Sequence, residues 1–186
     1  MCKKIKEINA LTSEQILKKR KTKSIPVNME EILDAVGVQY RMYDFSELQK
    51  ALKINKGDAI LGMALSNGND LGILYSNQIA NSSKNYVLAH ELGHCCIHLH
   101  PSETFHVELK VSRDMYSKQQ RRAFLSLLTD SVKEIQADKF AADILIPTDD
   151  FHQFISENQE ASHAQIADYF HVPEEIVRLK QSNLSR

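Results

Sequence analysis

No apolar run in this chain approaches the ~20 residues that a bilayer-spanning helix needs, and no apolar signal core follows the polar start Cys2-Lys3-Lys4. The expected compartment is therefore the cytoplasm. Cysteine is scarce: Cys2, Cys95 and Cys96 cannot all pair with one another, and two of them are neighbours, which argues against a disulfide framework. Net charge is nearly absent too, at −1, so no global field draws the chain to nucleic acid or to an anionic membrane. There is no glycine-rich phosphate loop, internal repeat or low-complexity tract. The densest basic run, Lys18-Lys19-Arg20-Lys21-Thr22-Lys23, is short enough to be a solvated helix end. At 186 residues the chain fits one domain with a real core and room for a terminal appendage.

What is present is His90-Glu91-Leu92-Gly93-His94. On a helix, residues four apart share a face, so His90 and His94 can hold one ion while Glu91, one step round, meets the water on it. Tyr86, Val87, Leu88, Ala89, Leu92, Cys95, Cys96, Ile97 and Leu99 make the segment apolar enough for a buried helix. Asn81-Ser82-Ser83 offer N-cap groups before it, and Pro101 offers a stop after it. Cys95 and Cys96 lie roughly 100° and 200° round the helix from His94, so they read as small buried residues rather than ligands. His100 and His106 lack helical register and read as surface-loop residues.

A catalytic zinc takes three protein ligands and keeps one position open for water. The third ligand is expected from Glu134, which opens the helical run Glu134-Ile135-Gln136-Ala137-Asp138-Lys139-Phe140-Ala141-Ala142-Asp143. Asp138, one turn further on, is placed to accept the outer ring N–H of a ligand histidine. The alanines of this run permit close packing against a neighbour, and the HExxH helix is the natural partner. His98, one turn beyond His94, has three open readings: a substrate contact, a polar neighbour behind the metal ligands, or a helix-end histidine favoured by the dipole.

These two segments resemble the ImmA/IrrE family of zinc metallopeptidases. The family pattern AHELGHxxLH is matched by Ala89-His90-Glu91-Leu92-Gly93-His94 with His98, Ile97 standing where leucine is usual. The pattern ExxANxFAAxLLMP is matched from Glu134 to Pro147, with Asp138 where asparagine is frequent and Ile146 where methionine is frequent. Residues 25–40 resemble the family's opening helix and first strand more loosely, and Ile60 to Ser76, turning at Asn67-Gly68-Asn69-Asp70, resembles its hairpin. The resemblance implies one Zn2+ per chain. It also implies a protein substrate, a helix-turn-helix repressor of the phage type whose cleavage derepresses genes.

In such a site Glu91 takes a proton from the water and later passes it to the leaving amine, acting as general base and then general acid. Tyr116 and His98 are candidate donors to the oxyanion. Between the two motifs, Glu103 to Arg122 is polar, and the apolar run from Phe124 to Leu128 follows; this reads as a loop plus an amphipathic helix. After Pro147 three helices are expected, over Asp149 to Glu157, from the N-cap Ser162 to Phe170, and from Pro173 to Lys180. The last pair is similar to a helix-turn-helix. Glu174 and Glu175 would meet phosphate badly, so this pair reads as packing support and direct nucleic-acid binding is not expected.

The expected fold is α+β and zincin-like: a short antiparallel sheet over about residues 38–76, packed on the zinc-binding helix pair, with a helical C-terminus. Residues 1–158 form the metallopeptidase domain and residues 159–186 a helical segment packed on it. The predicted function is a zinc-dependent endopeptidase. The alternative is a non-catalytic, zinc-stabilised regulator that sequesters a repressor or toxin, whose effect a Glu91→Gln change would leave intact.

Overall fold

The computed structural model describes residues 5–54, 59–67, 70–99, 106–111 and 131–184. Two short helices, α1 (Ile5–Ile8) and α2 (Ser13–Leu17), lead into α3 (Met29–Val36). Asn28 caps α3 by accepting from the backbone N–H groups of Glu30 and Glu31, and Gly37, left-handed at φ 76°, turns the chain out of it. Then follow β1 (Gln39–Tyr43), α4 (Ser46–Ala51), β2 (Ile60–Ser66), β3 (Leu71–Ser76), α5 (Asn81–Ile97) and β4 (His106–Val111). The C-terminal part is helical: α6 (Ser131–Leu145), α7 (Thr148–Glu157), α8 (His163–Phe170) and α9 (Glu174–Leu184).

The chain is α+β, as expected, but the sheet is mixed rather than antiparallel. Among the described residues its four strands run in the order β1-β3-β2-β4. β2 and β3 form the anticipated antiparallel hairpin, with Gly62 opposite Tyr75 and Ser66 opposite Leu71. The hairpin inserts with β3 beside β1, and because the chain crosses through α4 between β1 and β2, β1 and β3 run parallel. The fourth strand lies where a loop was expected: His106 opens β4, which pairs antiparallel with β2. Other sequence readings, on Cys2, Gly68, Asn69, His100, Pro101, Tyr116 and the segment 112–130, fall outside the described residues.

The sheet separates two apolar layers. On one face Phe45, Ile60 and Met63 pack with Leu48 and Leu52 of α4 and its surroundings. On the other, Ala64, Ile73 and Tyr75 join the main core, shared with α3, α5 and the C-terminal helices. A bulge between Ile60 and Gly62 breaks the alternation of β2, so Leu61 packs into the main core and Gly62 also turns toward α5. Bulges of this kind re-aim residues beside functional sites.

Helix α5 lies between the sheet and α6, which explains why ten successive residues, Val87 to Cys96, are buried. Its start differs from expectation. Ala80, not a Ser or Asn, is the N-cap and makes no side-chain cap bond; Asn81 to Ser83 form the first turn. The helix also ends earlier than Pro101, at Ile97 with His98 as C-cap. Asn85 fastens α5 to the start of α3 by accepting from Met29 N–H and donating to the Val27 carbonyl. The approach of α5 to α6 is tight: a Cβ on Gly93 would lie 3.1 Å from Ala137 Cα and 3.2 Å from its carbonyl oxygen.

The C-terminal helices dock through an ordinary amphipathic interface. Ser162 and Gln165 form a capping box at the start of α8, and Ile166, Phe170, Val172, Ile176 and Val177 enter the same core as Ala141 and Leu145. Lys180 of α9 is buried, and its ammonium donates to Asp143 Oδ1 at 2.9 Å and Thr148 Oγ1 at 3.0 Å. One side chain thereby ties α9 to the end of α6 and the start of α7.

Candidate metal centre

His90 and His94 project from one face of α5, and α6 brings Glu134 opposite them. His90 Nε2 and His94 Nε2 are 3.0 Å apart; Glu134 Oε2 is 3.5 Å from the first and Oε1 is 3.1 Å from the second. Among the described residues these three form the group of potential ligand atoms that gather within 4.8 Å of one another. A tetrahedral zinc with bonds of about 2.0–2.1 Å separates its ligand atoms by about 3.3 Å, so the three atoms stand close to the spacing that ion imposes. The donor set of two imidazoles and one carboxylate also suits zinc chemically. The residues fit the ion.

Behind these three side chains lie two hydrogen-bonded arms. His90 Nδ1 meets Asp138 Oδ1 at 2.8 Å, and the same oxygen accepts from Tyr86 Oη at 2.6 Å. A carboxylate only accepts, so the proton of His90 sits on Nδ1 and its Nε2 lone pair faces His94 and Glu134. His94 Nδ1 meets His98 Nδ1 at 2.8 Å, and His98 Nε2 lies 3.0 Å from Gln136 Oε1. The first arm is buried as far as Asp138; the second runs through half-buried His98 to exposed Gln136.

Glu91 is wholly buried and turns toward the sheet. A Cβ on Gly62 would lie 2.5 Å from Glu91 Oε1 and 2.7 Å from Val87 Cγ1, so the glycine beside the bulge leaves the space that the Glu91 carboxylate fills. Cys95 and Cys96 are buried as expected; burial, first of all, holds the Cys95 thiol well above its usual range and pushes Cys96 up to about 12. Both remain neutral thiols, unsuited to bind a metal.

Six of the site residues singled out from the sequence, His90, Glu91, His94, His98, Glu134 and Asp138, therefore lie in one neighbourhood, while Tyr116 lies outside the described residues. Three further participants were not singled out. Tyr86 precedes His90 by one turn, a spacing that places it on the same face. Gln136 sits inside the second motif, and Gly62 is a glycine within an apolar strand run, a pattern that marks a bulge or close approach.

Residues 71–182 match the family Peptidase_M78, described as the IrrE N-terminal-like domain, a span of more than half the chain. No curated protein and no solved structure gives a match.

Proposed function

The chain belongs to the IrrE N-terminal-like peptidase family, whose members are metallopeptidases, and from that premise we propose that it is a zinc-dependent endopeptidase acting on a helix-turn-helix transcriptional repressor. Membership of a peptidase family gives the reaction type, hydrolysis of a protein substrate. The observation that carries the finer reading is the convergence of His90 Nε2, His94 Nε2 and a Glu134 carboxylate oxygen at zinc-like spacing, with Glu91 one residue along the same helix. The repressor as substrate rests on the likeness to ImmA/IrrE proteins; a site says what it can do, not which protein it meets.

In this reading His90, His94 and Glu134 hold the metal. Zinc, when bound, supplies a water whose pKa falls toward ~7 and a Lewis acid for the scissile carbonyl. Asp138, itself held by Tyr86, keeps His90 in the tautomer that presents Nε2. Glu91 accepts the proton of the attacking water at a carboxylate oxygen and delivers it to the leaving amine nitrogen. Among the described residues β4 is the last strand of the sheet, directly beside the strand of Gly62, and a sheet edge can take an extended peptide by strand addition.

DNA binding by the last two helices finds no support. Arg178 is paired with Glu174 at 2.8 Å, and Lys180 is buried against Asp143. No helix among the described residues is long and apolar enough to cross a membrane.

The test is to co-express the intact chain, and separately its Glu91→Gln form, with a helix-turn-helix repressor encoded beside it. Zinc in both forms with repressor fragments only from the intact chain is the expected result. Zinc in both, intact repressor in both and a stable co-purifying complex would replace this reading with sequestration.

A further inference from the structure

Among the described strand residues, the large apolar side chains that stay exposed are Met42 and Tyr43 of β1, at 59% and 42%. They are neighbours, so they point to opposite faces of the sheet. Met42 shares a face with Tyr40, which packs on the main core. Tyr43 shares one with Phe45 of the second apolar layer, the two ring centroids being 5.1 Å apart. A helix laid on either face would cover only one of them, whereas a strand added in the plane of the sheet would cover both. Among the described residues β1 is an end strand, with β3 on one side and no strand on the other. We infer that β1 pairs antiparallel with β1 of a second copy of this chain, about a two-fold axis at Met42, so that two sheets become one.

The backbone of β1 fixes which groups face outward. The Tyr43 carbonyl accepts from Asn77 N–H at 3.1 Å, on the β3 side, where Tyr43 is in register with Ser76. Alternation along the strand therefore turns the N–H and C=O of Gln39, Arg41 and Tyr43 toward β3 and those of Tyr40 and Met42 away from it. A contact between identical strands sets one residue against itself on the axis. With Arg41 there, two guanidinium groups would stand opposite each other, a destabilising like-charge pair. With Tyr40 there, Tyr43 would fall opposite Gly37, outside the strand. With Met42 there, the two Met42 residues exchange outward N–H···O bonds, and each Arg41 stands opposite the partner's Tyr43, a cation beside an aromatic ring.

The same pairing fills a groove. Antiparallel strands carry the partner's α4, which follows β1 at Ser46, to the Gln39 end of β1. There, on the face where α4 lies, a groove of about 730 Å³ is lined by Asp34, Gln39, Arg41, Leu65, Gly72 and Leu74. The chain's own α4 packs at the other end of that face, with Phe45, Ile60 and Met63. A net charge of −1 sets little long-range repulsion between two copies.

The test uses the full chain as wild type, Met42→Lys and Met42→Pro, in sedimentation velocity over a concentration series, with the unfolding midpoint measured for each. Wild type should pass from monomer to dimer as concentration rises. Met42→Lys sets like charges on the axis, and Met42→Pro removes only an outward N–H, which a sheet edge tolerates. Each should weaken the dimer about 30-fold, the worth of the two bonds exchanged there, with the midpoint unchanged; Met42→Lys decides if the proline variant folds poorly. Register is read by oxidising two cysteine variants. Met42→Cys should cross-link two copies, its Cα atoms being about 5.5 Å apart in such a pair. Arg41→Cys, whose copies lie beyond the ~7 Å that a disulfide spans, should cross-link no more than wild type. A wild-type chain that stays monomeric at its highest soluble concentration would overturn the inference and leave the edge to a strand of another protein. A dimer that Met42→Lys leaves at full strength, or Arg41→Cys cross-linking above Met42→Cys, would overturn it as well.

Discussion

Two helix pairs of this protein bury very different things. Among the described residues α5 and α6 between them bury five carboxylate or imidazole side chains, His90, Glu91, His94, Glu134 and Asp138, within one neighbourhood, whereas α8 and α9 bury apolar residues and a single charged one, Lys180. The contrast separates two uses of burial. Lys180 has an anionic partner and a hydroxyl, as a structural buried charge should. The α5–α6 cluster places carboxylates and imidazoles together in a number that stability alone does not call for, since apolar residues of like volume would hold the helices together as well. Converging ionisable groups in a dry setting mark the part of a molecule kept for chemistry.

If that division is right, substitutions in the first pair should change chemistry or metal binding and leave stability nearly intact, and substitutions in the second should do the reverse. The largest effect is expected at Gly62, which lies on neither pair but makes room for Glu91. In Gly62→Ala the new methyl would meet Glu91 Oε1 at 2.5 Å; if Glu91 is the base, displacing its carboxylate by about 1 Å is expected to lower turnover about 100-fold, read as kcat on a protein substrate, with zinc content unchanged. Equal kcat would show that Glu91 does not depend on this clearance. Next comes Asp138→Ala, which removes the acceptor behind His90 and should weaken zinc binding about 10–100-fold, while Asp138→Asn, which keeps an acceptor oxygen, should hold most of the affinity.

The remaining two tests probe the other pair. Lys180→Ala leaves the partly exposed Asp143 without its cation and should cost about 2 kcal/mol in denaturant unfolding, below the range for a fully buried pair, with kcat per folded molecule unchanged. Ser162→Ala removes the capping box of α8 and should cost about 1 kcal/mol, again without a change in turnover. A loss of zinc in either variant would break the separation between the two regions.

The sequence revealed the site better than the framework around it, for a physical reason. His90, Glu91 and His94 are bound by the geometry of one helix, and Glu134 and Asp138 by the geometry of another, so local periodicity exposed both sets. The capping box at Ser162 and Gln165 and the hairpin of β2 and β3 are local in the same sense. What was missed is non-local. The parallel placement of β1 beside β3 depends on where a hairpin inserts, and the strand at His106 to Val111 is fixed by pairing with β2, far away in sequence. The clearance at Gly62 arises because a bulge turns that residue across the sheet toward α5, a fact no single segment carries. The expectation of a polar cap at Asn81 to Ser83 failed because packing of Val87 onward, rather than a capping side chain, fixes where α5 begins.

The central claim is that three side chains hold one zinc while a fourth, adjacent to them, works without binding it. The measurement that tests it most directly is the zinc content of the purified chain beside its Glu91→Gln and Glu134→Ala forms, each followed by assay on the same protein substrate. The division of roles predicts zinc in the intact chain and in Glu91→Gln, a much reduced content in Glu134→Ala, and cleavage from the intact chain alone. Full zinc in Glu134→Ala, or cleavage by Glu91→Gln at the rate of the intact chain, would contradict it.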